Sequence, residues 1–429
     1  MRFALLFAWC LTLHAAAHDP DEVIRRVTER VVASAARIPN YTCVESVVRN
    51  YYWPAAATLP RACPVLMEQR QHPTPDLSLR LAVTDRLHLD VTMTRTGEIF
   101  SWAGASRFSD TPLDQMVDGP MVTGVFGGLL SVIFKQDVQE FTFKGNTEVD
   151  GRSLMEYSFE VVPEHSSYKI GYSGWWVRSG YNGTVLVDPG TDDVVHLTVS
   201  TTALPAANTC EISTNLDLNR VKIGDSEFLL PAGARQRYVT TTGEEVENTT
   251  TLAQCREYLG ESSVSFGALD PGTGSSRQIA AAAPVRVPAN QRFTFELTAP
   301  IASLTAGAGD AFSGRLLTPL RDERKKTLAP TGSLVEGRLL RVERHHLVQG
   351  FTIIVLRVQR VNVAGSKLPL AAVRDLSREL ARRKGKAHIE IPLPLPSEKN
   401  TGLFRFEGDQ VVVPRGYRSD WRTVDADLH

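Results

Sequence analysis

PDEVIRRVTERVVASAAR, residues 20–37, is the clearest helix in a chain that otherwise reads as strands. Val23, Ile24, Val27, Val31, Val32 and Ala35 recur at three- and four-residue spacing and fall on one helical face. Pro20, Asp21 and Glu22 stand at its start, where a fixed φ and negative charge favour the first turn. Most of the chain beyond this helix alternates with period two. Leu87, Leu89, Val91 and Met93 share one face of a strand, and His88, Asp90 and Thr92 the other. Similar runs are read at Glu140–Lys144, Leu154–Val161, Thr184–Val187, Val194–Thr201, Ile212–Val221 and Arg235–Thr241. Turn signals such as Asp150-Gly151, Asn182-Gly183 and Asp188-Pro189-Gly190 separate them. One helix succeeded by a long antiparallel meander predicts a mainly β protein whose curved sheet wraps around a helix.

The chain has 429 residues, 42% hydrophobic and 22% charged, which excludes global disorder and a collagen-like fibre. Its length suggests two or three domains. The net charge of −1 hides an asymmetry, +10 from Arg277 onward and −11 before it. Opposite signs fit two domains that attract each other and argue against a continuous nucleic-acid surface. Residues 267–284, GALDPGTGSSRQIAAAAP, read as a linker. Their PGTGSS lacks the Lys of a phosphate loop. The expected division is a signal peptide at 1–17, a curved-sheet domain at 18–266, the linker, and a basic β-domain at 285–429. In that last part, strands are read at Arg292–Leu297, Ala311–Leu317, Leu334–Glu343, Phe351–Val363 and Val411–Val413. A helix is read at Ala371–Lys384, a solvated hairpin tip at Arg321–Lys326, and a closing C-terminal hairpin turning at Gly408-Asp409.

Arg2, the apolar run Phe3–Leu13 and Ala15-Ala16-Ala17 have the form of a secretory signal cleaved after Ala17. Trp9 before Cys10 departs from the small residue of a lipidation signal. The expected location is therefore periplasmic or extracellular, soluble once the signal is removed. Cys43, Cys63, Cys210 and Cys255 remain, an even number that suggests disulfides in an exported chain. Four cysteines permit three connectivities. Locality favours Cys43–Cys63 and Cys210–Cys255, each contributing about 3–4 kcal/mol by loop-closure entropy. No Cys-x-x-Cys pair supports a zinc site. The most apolar later stretch, Met121–Phe134, is too short to span a bilayer.

Motifs of catalysis are not found. There is no G-x-S-x-G elbow and no H-E-x-x-H, and the pairs Glu244-Glu245 and Asp192-Asp193 fall in turns. His345-His346 invites a metal, but neighbours on a strand face opposite ways and do not share one ion. No enzyme activity, cofactor, metal or nucleic-acid partner is expected. Two features point to binding. On a helix, Val122, Val125, Phe126, Leu129, Leu130 and Ile133 would form an apolar face lining or plugging a cavity on the concave side of the sheet. The plainer alternative is that they fill the core. Trp175 and Trp176 within GYSGWWVRSGYNG face opposite ways on a strand, leaving one free to stack on a ligand, and Trp102 in IFSWAG is similar.

The helix-then-meander order over 18–265 resembles the periplasmic lipoprotein-carrier fold, an unclosed β-barrel with a helix in its concave face. Residues 288–338 are similar to the β-domain of conjugation-type (type IV secretion) outer-membrane ring scaffolds. Gly309-Asp310 and Pro330-Thr331-Gly332-Ser333-Leu334-Val335-Glu336-Gly337 carry that likeness, with Asn290 where that family often has Gly. Together the resemblances imply a non-enzymatic envelope protein. It would hold a lipid or other apolar molecule in the first domain and dock to an envelope partner through the basic second one. The rival readings are an interaction protein with a filled core, and an extracytoplasmic hydrolase with an unrecognised site.

Overall fold

The computed structural model describes residues 18–37, 41–55, 61–72, 78–94, 97–105, 108, 111–121, 123–172, 175–201, 203–257, 286–377, 395 and 398–425. The signal segment and the linker at 267–284 lie outside the described residues. Helix α1 (Pro20–Arg37) forms where its periodicity places it. The Asp19 carboxylate accepts the Asp21 backbone N–H at 3.1 Å, and Arg25 bridges Glu22 and Glu29 on the solvent side.

The chain continues through β1 (Tyr41–Pro54), α2 (Cys63–Gln71), β2 (Leu79–Thr94), β3 (Gly97–Trp102) and the short helices α3 (Leu113–Met116) and α4 (Gly128–Val132). Then come β4 (Thr142–Val149), β5 (Arg152–Val161), the small hairpin β6 (Lys169–Tyr172) and β7 (Trp175–Arg178), and β8 (Tyr181–Asp188). The long strands β9 (Asp193–Thr201), β10 (Thr209–Ile223), β11 (Ser226–Thr240) and β12 (Glu245–Glu257) complete this half. In space the order is β3-β2-β1-β12-β11-β10-β9-β8-β5-β4, antiparallel throughout. The first strand of the sheet therefore lies beside the last. β3 and β4 are left as edges with no ladder between them among the described residues, so the sheet is curved but unclosed.

Two apolar clusters fill its concave face. Val23, Val27 and Val31 of α1 pack with Leu129, Ile133 and Phe134 against inward residues of β5, β8, β9 and β10. Cys43, Val47, Leu89, Val91 and Phe100 of β1–β3 pack around Phe126, Leu113 and Val117.

The C-terminal half contains β13 (Arg292–Leu297), β14 (Ile301–Ala302), β15 (Ala311–Leu316), β16 (Leu320–Arg321), β17 (Thr327–Ala329) and β18 (Leu334–His345). It continues with β19 (Phe351–Val363), β20 (Ser366–Pro369), β21 (Ala372–Arg374), β22 (Gly402–Glu407), β23 (Val412–Val413) and β24 (Arg418–Thr423). The ladders run β13–β15–β18–β19–β20. The chain passes almost directly from β20 into β21, which pairs with β24, and β24 returns to β13. The ring closes into a small barrel around Phe295, Phe312, Leu316 and Trp421. Phe295 stacks on Trp421 with centroids 5.4 Å apart. A Cβ at Gly402 would collide with the Trp421 ring. Gly402→Ala is expected to cost about 1–3 kcal/mol by overpacking, read as a lower urea midpoint.

Three expectations need correction. The helix read at Ala371–Lys384 does not begin there: 372–374 form strand β21, which closes on β24, Ser377 is helical, and residues 378–384 lie outside the described residues. The closing hairpin is not one: β22 pairs with β19, whereas β24 pairs with β13 and β21. The disulfides are Cys43–Cys255 and Cys63–Cys210, not the local pairs. Cys43 on β1 meets Cys255 on β12 because those strands are neighbours. The solvated tip at 321–326 turns between β16 and β17.

Sheet and barrel share β2. Its later residues pair with β3, while Asp85, Thr84 and Val83 pair with Glu343, Arg344 and His345 of β18. Beside this joint, the His88 N–H donates to the Ala308 carbonyl and the Ala308 N–H to the Arg86 carbonyl, and the His88 ring meets Asp310 at 2.6 Å. Charges of both senses meet at this joint: His88 and Arg49 of the sheet face Asp310 and Glu343 of the barrel, while Asp85 and Asp90 of the sheet lie in the fields of Arg341 and Arg338 of the barrel.

Candidate functional site

Paired residues of an antiparallel ladder point to the same face, so register alone reveals a polar row on the inner surface of the sheet. Thr214 pairs with Gln236, Gln236 with Asn248, Asn248 with Arg49, Arg49 with Asp85, and Asp85 with Glu343 of the barrel. Six strands thus contribute one polar side chain each, in line. They are deeply enclosed: Asn248 is 0% exposed, Gln236 1% and Arg49 4%. Several flanking positions on this face are apolar, such as Leu216 and Val47 on one side and Ile212 on the other, whereas Thr250 and Tyr238 carry hydroxyls.

Arg49 anchors the row. Its Nε and Nη2 donate to the two Asp85 carboxylate oxygens at 2.8 and 2.5 Å, and Nη1 donates to the Asp118 carbonyl at 2.6 Å. Burial opposes its charge, but the Asp85 carboxylate more than offsets this and holds the guanidinium protonated. Asn248 Nδ2 donates to the Pro120 carbonyl at 3.0 Å. Residues 117–121 are therefore strapped across the row by two side chains. Gly119 allows the close approach: its φ is +90°, and a Cβ there would meet the Tyr51 hydroxyl at 2.6 Å.

Where the row reaches the barrel it borders a cleft of about 410 Å3. Tyr51, Leu87, Trp102, Met116 and Val342 supply apolar lining, while charge comes from Arg49, Arg86, Arg341 and Arg357 against Asp85, Asp118, Glu343 and Glu398. Arg341 joins both barrel carboxylates, Glu398 at 2.6 Å and Glu343 at 3.3 Å. Burial would raise the Glu343 carboxyl, but the hydrogen bond from His345 and the charges of Arg341, His345 and Arg49 outweigh it and keep Glu343 below its ordinary range. His345 stacks on Phe351, whereas His346 turns to Thr84 and Asp409, so the two imidazoles serve separate contacts. A second acidic group lies deeper. Burial, then the nearby Glu98, push the Glu45 carboxyl up to about 8, which leaves it neutral at pH 7. Glu98 itself accepts backbone N–H bonds from Gly124 and Phe126.

Of the residues read from sequence as ligand-binding, only Trp102 borders this cleft. Val125, Phe126, Leu129, Leu130 and Ile133 are buried core, Phe126 stacking on Tyr41 at 4.6 Å. Val125 and Phe126 precede α4 instead of riding on it, and Val122 lies outside the described residues. Trp176 is 62% exposed on the β6–β7 hairpin, away from the cleft, and the Trp175 side chain is not among those described. The sequence does not single out Arg49, Asp85, Gln236, Tyr238 or Asn248. Charged and amide residues in a strand read as solvent-facing until the neighbouring strands are known.

Among the described residues no helix is long and apolar enough to cross a membrane. No family model matches the chain, and no curated protein matches it. Among solved structures, a LolA superfamily protein from Nitrosomonas europaea is 11% identical with a TM-score of 0.25, covering 56% of this chain and 94% of that one. A DUF1329 family protein from Desulfovibrio piger is 8% identical with a TM-score of 0.28, covering 57% and 95%. A domain described as an outer membrane lipoprotein-sorting protein from Vibrio parahaemolyticus is 11% identical with a TM-score of 0.27, covering 56% and 92%. None of the three is described as a secretion scaffold, so the likeness read in residues 288–338 finds no support there. The chain is thus similar to these three proteins over about half its length.

Proposed function

We propose that the protein is a non-enzymatic, exported envelope protein that binds an amphipathic, lipid-like molecule in the cleft between sheet and barrel. The observation that carries this reading is the cleft itself. About 410 Å3 lies within the range of small-molecule sites, and its lining joins aromatic and aliphatic groups to charged ones of both signs. Such a lining suits a molecule with an apolar chain and a polar end. The ligand position differs from the sequence expectation, since the residues under the helix are packed core. Two disulfides agree with an oxidising compartment. The basic barrel then serves as the docking element for a second envelope component.

Native mass spectrometry of protein purified without detergent is expected to show excess mass that organic extraction removes. Met116→Asp places a charge on the apolar lining and is expected to weaken binding of a twelve-carbon amphiphile at least tenfold, which fluorescence titration measures. A mass equal to the bare polypeptide, together with no binding of added amphiphile at millimolar concentration, would overturn the reading in favour of an interaction protein.

A further inference from the structure

The polar row holds more hydrogen-bonding capacity than the protein uses. Gln236 Nε2, Asn248 Oδ1 and the Tyr238 hydroxyl are buried and have no hydrogen-bond partner among the described residues. All three residues are more than nine-tenths buried. They are also neighbours: Gln236 pairs with Asn248, and Tyr238 lies two residues further along β11 on the same face. Tyr238 pairs with Val246, which pairs with Tyr51, and Asn248 pairs with Arg49. Arg49 and Tyr51 line the cleft, so this cluster begins one strand in from it.

Buried polar atoms are normally paired, and each left unpaired costs free energy in the fold. Three in one patch, beside a cleft, mark a place where a hydrogen-bonding group from outside the chain would be stabilised. The chemistry of the patch narrows that group. It presents an amide donor, an amide acceptor and a phenol that can act as either. It presents no net charge, because Asp85 neutralises Arg49 and engages its Nε and Nη2, while Asp118 takes Nη1. Across the joint Glu343 and Glu398 are both joined by Arg341, so that wall too carries its charges in pairs.

We infer that Gln236, Tyr238 and Asn248 form a subsite for an uncharged head group bearing both donors and acceptors, such as glycerol or sugar hydroxyls. The protein thereby selects neutral over anionic amphiphiles. This rests on the lipid-like reading and adds the head-group class to it.

Four probes with the same twelve-carbon chain test it: monododecanoylglycerol, dodecyl glucoside, dodecanoate and dodecyl phosphate. The first two are expected to bind at least tenfold more tightly than the last two, and their ratio separates a glycerol from a sugar source. The double variant Gln236→Met, Tyr238→Phe removes two unpaired atoms at nearly constant volume. It is expected to lose tenfold or more for the neutral probes and nothing for dodecanoate, with Tm unchanged or higher. Equal binding of anionic and neutral probes overturns the inference while leaving the lipid-like reading standing. A fall in Tm of several degrees in the double variant, with the neutral preference intact, also overturns it, because the groups then serve internal packing. If no twelve-carbon probe binds, the lipid-like reading fails. The subsite then falls with it unless free glucose or glycerol raises the wild-type Tm more than that of the double variant.

Discussion

Replacing Cys43 and Cys255 together by alanine is expected to remove roughly 5 kcal/mol of stability, as loop-closure entropy gives for a bridge of this span. The bridge links residues 212 apart, far more than the local pairing read from sequence would enclose. It fastens β1 to β12 at an interruption of their ladder, where the register shifts between Thr42 and Val44 and Gln254 takes a φ of +53°. The sheet's first and last strands are thus tied where their hydrogen bonding is weakest. Cys63–Cys210, with a separation of 147, holds α2 against β10. Taken alone it closes a loop of similar entropic weight. It is nested inside the first, so each bridge closes a shorter effective loop while the other is intact, and removing both is expected to cost more than the sum of the two single losses. Urea unfolding of the two double-alanine variants and the quadruple variant measures this. A loss below about 1 kcal/mol for Cys43–Cys255 would show that the unfolded chain is already compact there.

Asp85→Ala is expected to cost about 3–5 kcal/mol, because it leaves the Arg49 guanidinium buried without its bidentate partner. The cost comes from stranding a charge, not from losing a favourable pair. Arg49→Met, Asp85→Leu should therefore recover most of the stability that Asp85→Ala loses. The two variants differ in one further respect. Arg49 also holds the strap through the Asp118 carbonyl, and Asp85→Ala leaves that contact in place whereas the double substitution removes it. Amide exchange at residues 117–119 is expected to quicken in the double variant even though global stability returns. If the double variant is as unstable as Asp85→Ala, the pair is a true net stabiliser of the fold.

Burial of such polar groups also decides how much of the fold is legible in the sequence. Helix α1 is legible because its polar and apolar positions separate cleanly by face. The strand at 292–297 and the long strand at 351–363 are legible because their inward positions are apolar. β1 and β12 escape the sequence reading, and the reason is chemical. The inward side of β1 carries Glu45 and Arg49 among Cys43 and Val47, and that of β12 carries Asn248 and Thr250. Polar groups on the buried face erase the alternation from which a strand is read. Of the six strands that bear the polar row, β1 and β12 are hidden from a pattern search by such residues, whereas β2, β10, β11 and β18 are read in part from their apolar positions. Trp102 alone among the candidate ligand contacts reaches the cleft, because an aromatic residue advertises binding without regard to register. The disulfide pairing fails for a topological reason: proximity in sequence is no guide when a meander brings its two ends side by side.

The sharing of β2 has a mechanical consequence. Sheet and barrel are coupled through a splice of three residue pairs, at one end of which Asp85 sits opposite Glu343, and beside it through Ala308 and Asp310 on Arg86 and His88. A short splice peels one hydrogen bond after another instead of shearing as a block. A tug on the barrel is therefore felt first by the strand that carries Asp85. The cleft lies along this splice, so a force that parts the two halves opens its lining.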